Sequence, residues 1–131
     1  MSVETKTQGF AGKETALALG GILRDHKGDN SLVIDLREMN AWTDFFVIAT
    51  ASSNTHLDGL ERHVREFCAG ENIEVLRRSR RPSTSDDEWR LLDLGAVVVH
   101  LMSANARSFY ELERLYPPPH AKIISEQKQS E

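Results

Sequence analysis

A chain of 131 residues has room for one domain whose core is large enough to fold unaided. Apolar and charged fractions of 40% and 27% are those of a soluble globular protein, and a net charge of -4 excludes any global attraction to nucleic acid or anionic lipid. The lone Cys68 excludes an intrachain disulfide, no apolar run approaches membrane-spanning length, and the polar start MSVETKTQGF lacks the apolar stretch of a secretion signal, so a cytoplasmic protein without membrane contact is expected.

Residues 1–8 are polar and expected to be flexible. From Gly9 to Asp25 the apolar residues Ala16, Leu19, Ile22 and Leu23 recur at helical spacing, although Gly20 and Gly21 weaken that helix by about 1 kcal/mol each relative to alanine. Lys27 to Asn30 is turn chemistry. Leu32–Leu36 predicts a first strand, and Phe45–Ala51 a second one buried on both faces. A polar connection carrying Trp42 joins them.

Ser52 to Thr55 offers helix caps, and Leu57, Leu60, Val64, Phe67 and Cys68 share one face of the helix that follows, which stops at Gly70. Ile73–Leu76 predicts a short third strand, and a strand–helix–strand run implies a parallel crossover. Arg77 to Glu88 is expected to be a polar loop whose charge changes sign along its length. Trp89–Asp93 and Ala96–Met102 predict a hairpin closed at Asp93-Leu94-Gly95, and Ala104–Leu115 a last helix ended by three prolines. The expected architecture is an α/β single domain over residues 9–116, with a mixed five-stranded sheet flanked by about three helices. Residues 117–131 are expected to be a disordered polar tail.

Chemistry is sparse. Asp35, Asp44 and Asp93 lie at or near strand ends, where two of them would hold a divalent metal for phosphoryl transfer if the sheet brought them together. Aspartates also cap turns and strand exits, the plainer reading of all three. Thr50 to Ser53 precedes a helix start but lacks the glycines of a phosphate loop. His56 and His63 are two helical turns apart, too far for one metal, and His100 is expected to be a partly buried imidazole bonded to backbone or carboxylate. No metal ion or cofactor and no catalytic residue is expected.

Arg77, Arg78, Arg80 and Arg81 are able to grip phosphates locally, as a peripheral RNA contact, or to be a solvated run countered by Asp86, Asp87 and Glu88. Alternation puts Trp89, Leu91 and Asp93 on one face of their strand and Arg90 and Leu92 on the other. Trp89 suits either the core or a partner contact, and Leu94 at the turn is harder to bury. In the last helix Phe109, Leu112 and Leu115 or Tyr116 are expected to face the core, Arg107 and Glu111 to form an exposed pair, and Tyr110 and Arg114 to lie on another face.

Leu32-Val-Ile-Asp-Leu36, Thr43-Asp-Phe-Phe-Val-Ile-Ala-Thr50, Ser52-Ser53, Trp89-x-Leu-Leu-Asp-Leu-Gly95, Val97-Val-Val-His100, Arg107 and Phe109-Tyr-Glu-Leu-Glu113 stand together in order and spacing. With them the chain resembles the ribosomal silencing factor, or Iojap-like, family from about residue 11 to 116. The resemblance implies a nucleotidyltransferase-like shape without catalysis. It implies a translation repressor that binds the large ribosomal subunit through its protein L-fourteen and sterically blocks joining of the subunits when nutrients are scarce. Trp89 and Leu94 match the family's partner-contacting pair, while Asp93, His100 and Tyr110 match characteristic positions. The chain departs from the pattern at Ala51, where the family usually has glycine, and at Phe45, Ala96 and Tyr116. Alternatives left open are a large-subunit assembly factor, a homodimer, and a metal-dependent nucleotidyltransferase-like enzyme using Asp35, Asp44 or Asp93.

Overall fold

The computed structural model describes residues 3–39, 42–81, 88–110 and 122–126. In chain order they form helix α1 (Val3–Asp25), strand β1 (Asp29–Asp35), a 3-10 turn (Arg37–Met39), β2 (Phe45–Ala51), α2 (Asn54–Gly70), β3 (Arg77–Arg81), β4 (Trp89–Asp93), β5 (Val97–Ser103), α3 (Ala104–Tyr110) and β6 (Lys122–Glu126). The strands make one mixed sheet in the order β3-β4-β5-β2-β1-β6. Among the described strands only the central pair β2–β5 is parallel.

The sheet separates two apolar layers. On one face α1 and α2 lay Ala16, Leu19, Leu23, Leu57, Leu60, Val64 and Cys68 against Val33, Phe45, Val47, Leu92, Val99 and Leu101. On the other, Leu32, Ile34, Phe46, Ile48, Val98 and Met102 meet Ala106 of α3, with Met39, Trp89 and Leu91 at the margin. Because both faces are covered, β2 is buried along its whole length, as its unbroken apolar run predicts.

Gly20 sets how close α1 comes to the sheet. A Cβ there would stand 2.7 Å from Val33 Cγ2, so the residue that weakens the isolated helix is what lets it dock. Gly95, at φ +99, turns β4 into β5, and Asp93 Oδ1 accepts its amide at 2.9 Å. Ala51 is an ordinary buried strand residue without a left-handed backbone, so the missing glycine is not needed there.

Several expectations need correction. The sheet has six strands, not five: β6 arises from the segment expected to be a disordered tail and pairs antiparallel with β1, Ile123 opposite Ile34. Two adjacent β-branched isoleucines suit a short edge strand, but its partner lies so far back in the chain that no local pattern announces it. Helix α1 starts at Val3, inside the stretch expected to be loose, because neither proline nor glycine interrupts Val3 to Gln8 and extending a formed helix costs little.

The third strand is Arg77–Arg81 rather than Ile73–Leu76, so the supposed charged loop is in part a strand. It runs parallel to β2, as a crossover demands, but lies beyond β4 and β5 at the sheet edge. The predicted helix end at 111–115 and most of the tail lie outside the described residues.

Candidate partner-binding surface

Trp89 and His100 are placed by the β4–β5 ladder. Leu91 sits opposite His100 and Trp89 opposite Met102, so the indole and imidazole are diagonal neighbours on the face that carries α3. Trp89 Nε1–H donates to His100 Nδ1 at 3.1 Å. That bond requires the neutral tautomer with its proton on Nε2, and this second nitrogen is buried with no hydrogen-bond partner among the described residues. The imidazole is 2% exposed and meets the Phe46 ring edge to face at 4.4 Å between centroids. Burial, helped by the charge of Arg107, pushes the His100 pKa down to about 3. The expected backbone or carboxylate partner is therefore an indole. A strand residue two positions from its diagonal neighbour carries no sequence signal for that choice.

Trp89 is half-buried and packs against the smaller apolar layer, together with Leu91. Leu94 is half-buried too, but the structure does not bring it beside Trp89. It follows the far end of β4, roughly 17 Å along the strand, and packs toward α1 and α2, where it lines a groove with Gly12, Ile73, Leu76 and Ala96. Leu76 there is 59% exposed. Trp89 and Leu94 thus mark two patches on opposite faces. Asp93 holds the intervening turn through the Gly95 amide, with Arg77 3.5 Å away. Tyr110 closes α3; its side chain lies outside the described residues.

Arg107, expected on the surface, is buried and donates to Thr50 Oγ1 at 2.8 Å, tying α3 to the end of β2. Neither the aliphatic stem nor the β2–α3 proximity is visible in a helical wheel, where Arg107 looks paired with Glu111. The latter lies outside the described residues.

A charged cluster went unread in the sequence. Glu61 on α2 is buried and accepts from Arg78 Nε at 2.8 Å, Arg78 Nη2 at 2.9 Å, Arg65 Nε at 3.1 Å and Arg90 Nη1 at 3.1 Å. Arg90, itself buried, also reaches Asp58 at 2.7 Å and Glu88 at 2.8 Å. Burial alone would raise the Glu61 pKa, yet the hydrogen bonds from Arg78 and Arg65 pull it down to about 2. The cluster fastens α2 to β3 and β4. Its local signal is a Glu on an apolar helix face with Arg65 one turn on; Arg78 and Arg90, which complete it, stand in β3 and β4.

Asp44 lies beside the end of β1, its carbonyl accepting the Leu36 amide at 2.8 Å, but the acidic trio does not gather into one site among the described residues. Asp35 is taken by Arg37, with Arg37 Nη2 2.8 Å from Asp35 Oδ2, which holds its carboxyl below the usual range despite burial. Asp35 and Asp93 end strands β1 and β4, three strand spacings apart, about 14 Å. Among the described residues no group of three metal-ligating side chains forms. Ser53, in the candidate phosphate turn, caps α2 by accepting the His56 amide at 3.0 Å. His63 stacks on His26 at 3.5 Å between ring centroids, and His56 donates from Nε2 to the His26 carbonyl at 2.9 Å. These histidines join α2 to the end of α1. No described helix is long and apolar enough to cross a membrane.

Residues 11–131 match the family model described as ribosomal silencing factor during starvation. Ribosomal silencing factor RsfS of Treponema pallidum is 38% identical over 101 residues, 77% of this chain and 88% of that protein. The chloroplastic protein Iojap of Zea mays is 33% identical over 101 residues, 77% of this chain but 42% of the longer plant protein. Among solved structures, protein CV0518 of Chromobacterium violaceum superposes with a TM-score of 0.66 at 22% identity over 88% of this chain and 91% of its own, a likeness of fold. A Bacillus halodurans protein superposes at 0.62 with 26% identity, over 77% of this chain and 92% of its own. With a match that runs from α1 through β6, the chain belongs to the ribosomal silencing factor (Iojap) family.

Proposed function

We propose that this protein binds the large ribosomal subunit through the ribosomal protein L-fourteen and, by its bulk, keeps the small subunit from joining. It works without catalysis, by occupying a docking face when translation must be damped. The observation that carries this reading is the match over residues 11–131 to a family described by ribosomal silencing during starvation. The apolar surface gives it a physical basis. Trp89 and Leu91 stand half-buried on the α3 face, and Leu94 beside exposed Leu76 on the opposite side of the β4–β5 turn. Because these patches lie on opposite faces and ~17 Å apart along β4, a flat interface of ordinary size, about 800 Å² per partner, centres on one of them, and Trp89 is the one proposed.

Trp89 supplies the apolar anchor, and the hydrogen bond to His100 fixes its indole before binding, so less ordering is lost on contact. Neither an RNA contact nor self-association is needed. Arg78, one of the four arginines, is already engaged by Glu61 on two nitrogens.

The test compares Trp89→Ala, Leu94→Ala and unmodified protein for co-sedimentation with purified large subunits, after circular dichroism has shown each variant folded. Loss of a hot-spot Trp costs about 2 kcal/mol or more, roughly thirtyfold in affinity. Undiminished binding of both variants would reject this placement.

A second reading, large-subunit assembly, has its own support. The mouse protein named mitochondrial assembly of ribosomal large subunit protein 1 is 28% identical to this chain over 98 residues, 75% of this chain and 43% of that protein. Both readings use the same surface. They part on whether the protein is found on mature particles or only on incomplete ones.

A further inference from the structure

Beyond the ribosomal contact, the geometry points to a second docking site: the outer edge of β3, which we propose accepts an extended acidic peptide as an added strand. β3 ends the strand order, and its sequence is Arg-Arg-Ser-Arg-Arg. Which backbone groups it leaves outward follows from the neighbouring ladder. Ser103 N–H donates to the Glu88 carbonyl and Leu94 N–H to the Val97 carbonyl, so the even-numbered residues of β4 aim their backbone at β5. The odd-numbered ones, Trp89, Leu91 and Asp93, aim theirs at β3, where they stand opposite Arg81, Ser79 and Arg77. The N–H and C=O of Arg78 and Arg80 therefore point away from the sheet, and no described backbone group bonds to them.

Two donors and two acceptors alternating along the outer edge of the last strand match another strand. Arg77, Arg78 and Ser79 are exposed, so nothing described covers that edge. The charge selects the occupant. Like-charged edges oppose self-pairing, which argues against a second copy meeting this strand with its own arginines. The same charge favours a strand rich in Glu or Asp. RNA is the weaker match: phosphate oxygens satisfy the outward N–H groups but not the C=O groups, and Arg78, which would otherwise grip a phosphate, is held by Glu61 at 2.8 and 2.9 Å. That clamp also keeps β3 in place before any partner arrives, so docking does not have to order it.

Arg80→Pro and Arg80→Ala separate backbone from charge. Both remove the guanidinium, whereas only proline removes the outward N–H, and an edge strand tolerates proline where its N–H faces solvent. A fluorescein-labelled peptide of alternating Glu and Val is titrated with the full-length protein and each variant by anisotropy, alongside an oligouridine of matched charge. The expected result is peptide binding weakened about threefold by Arg80→Ala and about fivefold further by Arg80→Pro, with the oligouridine bound more weakly than the peptide. Equal affinity of the two variants for the peptide, or tighter binding of the oligouridine, overturns the proposal. If the proline variant does not fold, amide exchange in unmodified protein decides: the Arg78 and Arg80 amides slow on adding peptide if the strand docks, and unchanged exchange overturns it.

Discussion

The indole N–H of Trp89 and the Nδ1 of His100, 3.1 Å apart across β4 and β5, hold each other in a single state. The tryptophan is fixed in orientation and the histidine is fixed as a neutral ring, because a proton on Nδ1 would face the indole donor. The surface aromatic is thereby tied to a buried titratable group.

That tie predicts a pH dependence of stability. The folded-state pKa of His100, about 3, lies below its ordinary value of 6.5. Such a group contributes its stability fully above pH 6.5 and loses it as pH falls from there toward 3. The expected slope is about 1.4 kcal/mol per pH unit in that window. His100→Gln keeps an acceptor for the indole but does not titrate. Urea unfolding across pH 3.5–7 should show a flatter dependence for this variant above pH 4.5; identical slopes would count against the neutral buried ring.

Glu61 acts lower on the scale. Its pKa of about 2 lies below the ordinary 4.5, so its contribution is complete above pH 4.5 and fades as pH falls toward 2. Glu61→Gln leaves Arg78, Arg65 and Arg90 around a neutral amide. The expected cost at pH 7 is about 2 kcal/mol, discounted from a fully buried pair because Arg65 and Arg78 reach solvent and buried Arg90 keeps Asp58 and Glu88. Chemical denaturation measures it, and a loss under about 1 kcal/mol would mean that solvent already satisfies the arginines.

The two adjacent glycines of α1 are predicted to respond with opposite signs. Gly21→Ala meets nothing within 4 Å and should stabilise by about 0.5–1 kcal/mol through helix propensity. Gly20→Ala places a methyl 2.7 Å from Val33 Cγ2 and should destabilise by about 1–3 kcal/mol. Thermal melts of the two variants check this directly; a shift of the same sign in both would remove the close approach from the account.

Much of the fold was legible because its signals are local. The apolar run Phe45–Ala51, the stripe Leu57 to Cys68 and the Asp93-Leu94-Gly95 turn each specify an element within a few residues of themselves. What stayed hidden depends on distant partners. β3 reads as a charged loop until β4 pairs with it and Glu61 answers Arg78, and β6 reads as tail until β1 offers its edge. The site divides in the same way. Alternation correctly set Trp89, Leu91 and Asp93 against Arg90 and Leu92. The Trp89–His100 bond and the burial of Arg107 required the register of three strands and the placement of α3, which no residue spacing encodes.

Adding purified protein to separated ribosomal subunits and following their reassociation on a sucrose gradient decides whether it blocks joining. The protein is expected to migrate with the large subunit, and the peak of joined particles to fall in proportion to protein added, less so for folded Trp89→Ala. Protein left at the top of the gradient, with subunits joining as they do without it, would contradict this expectation.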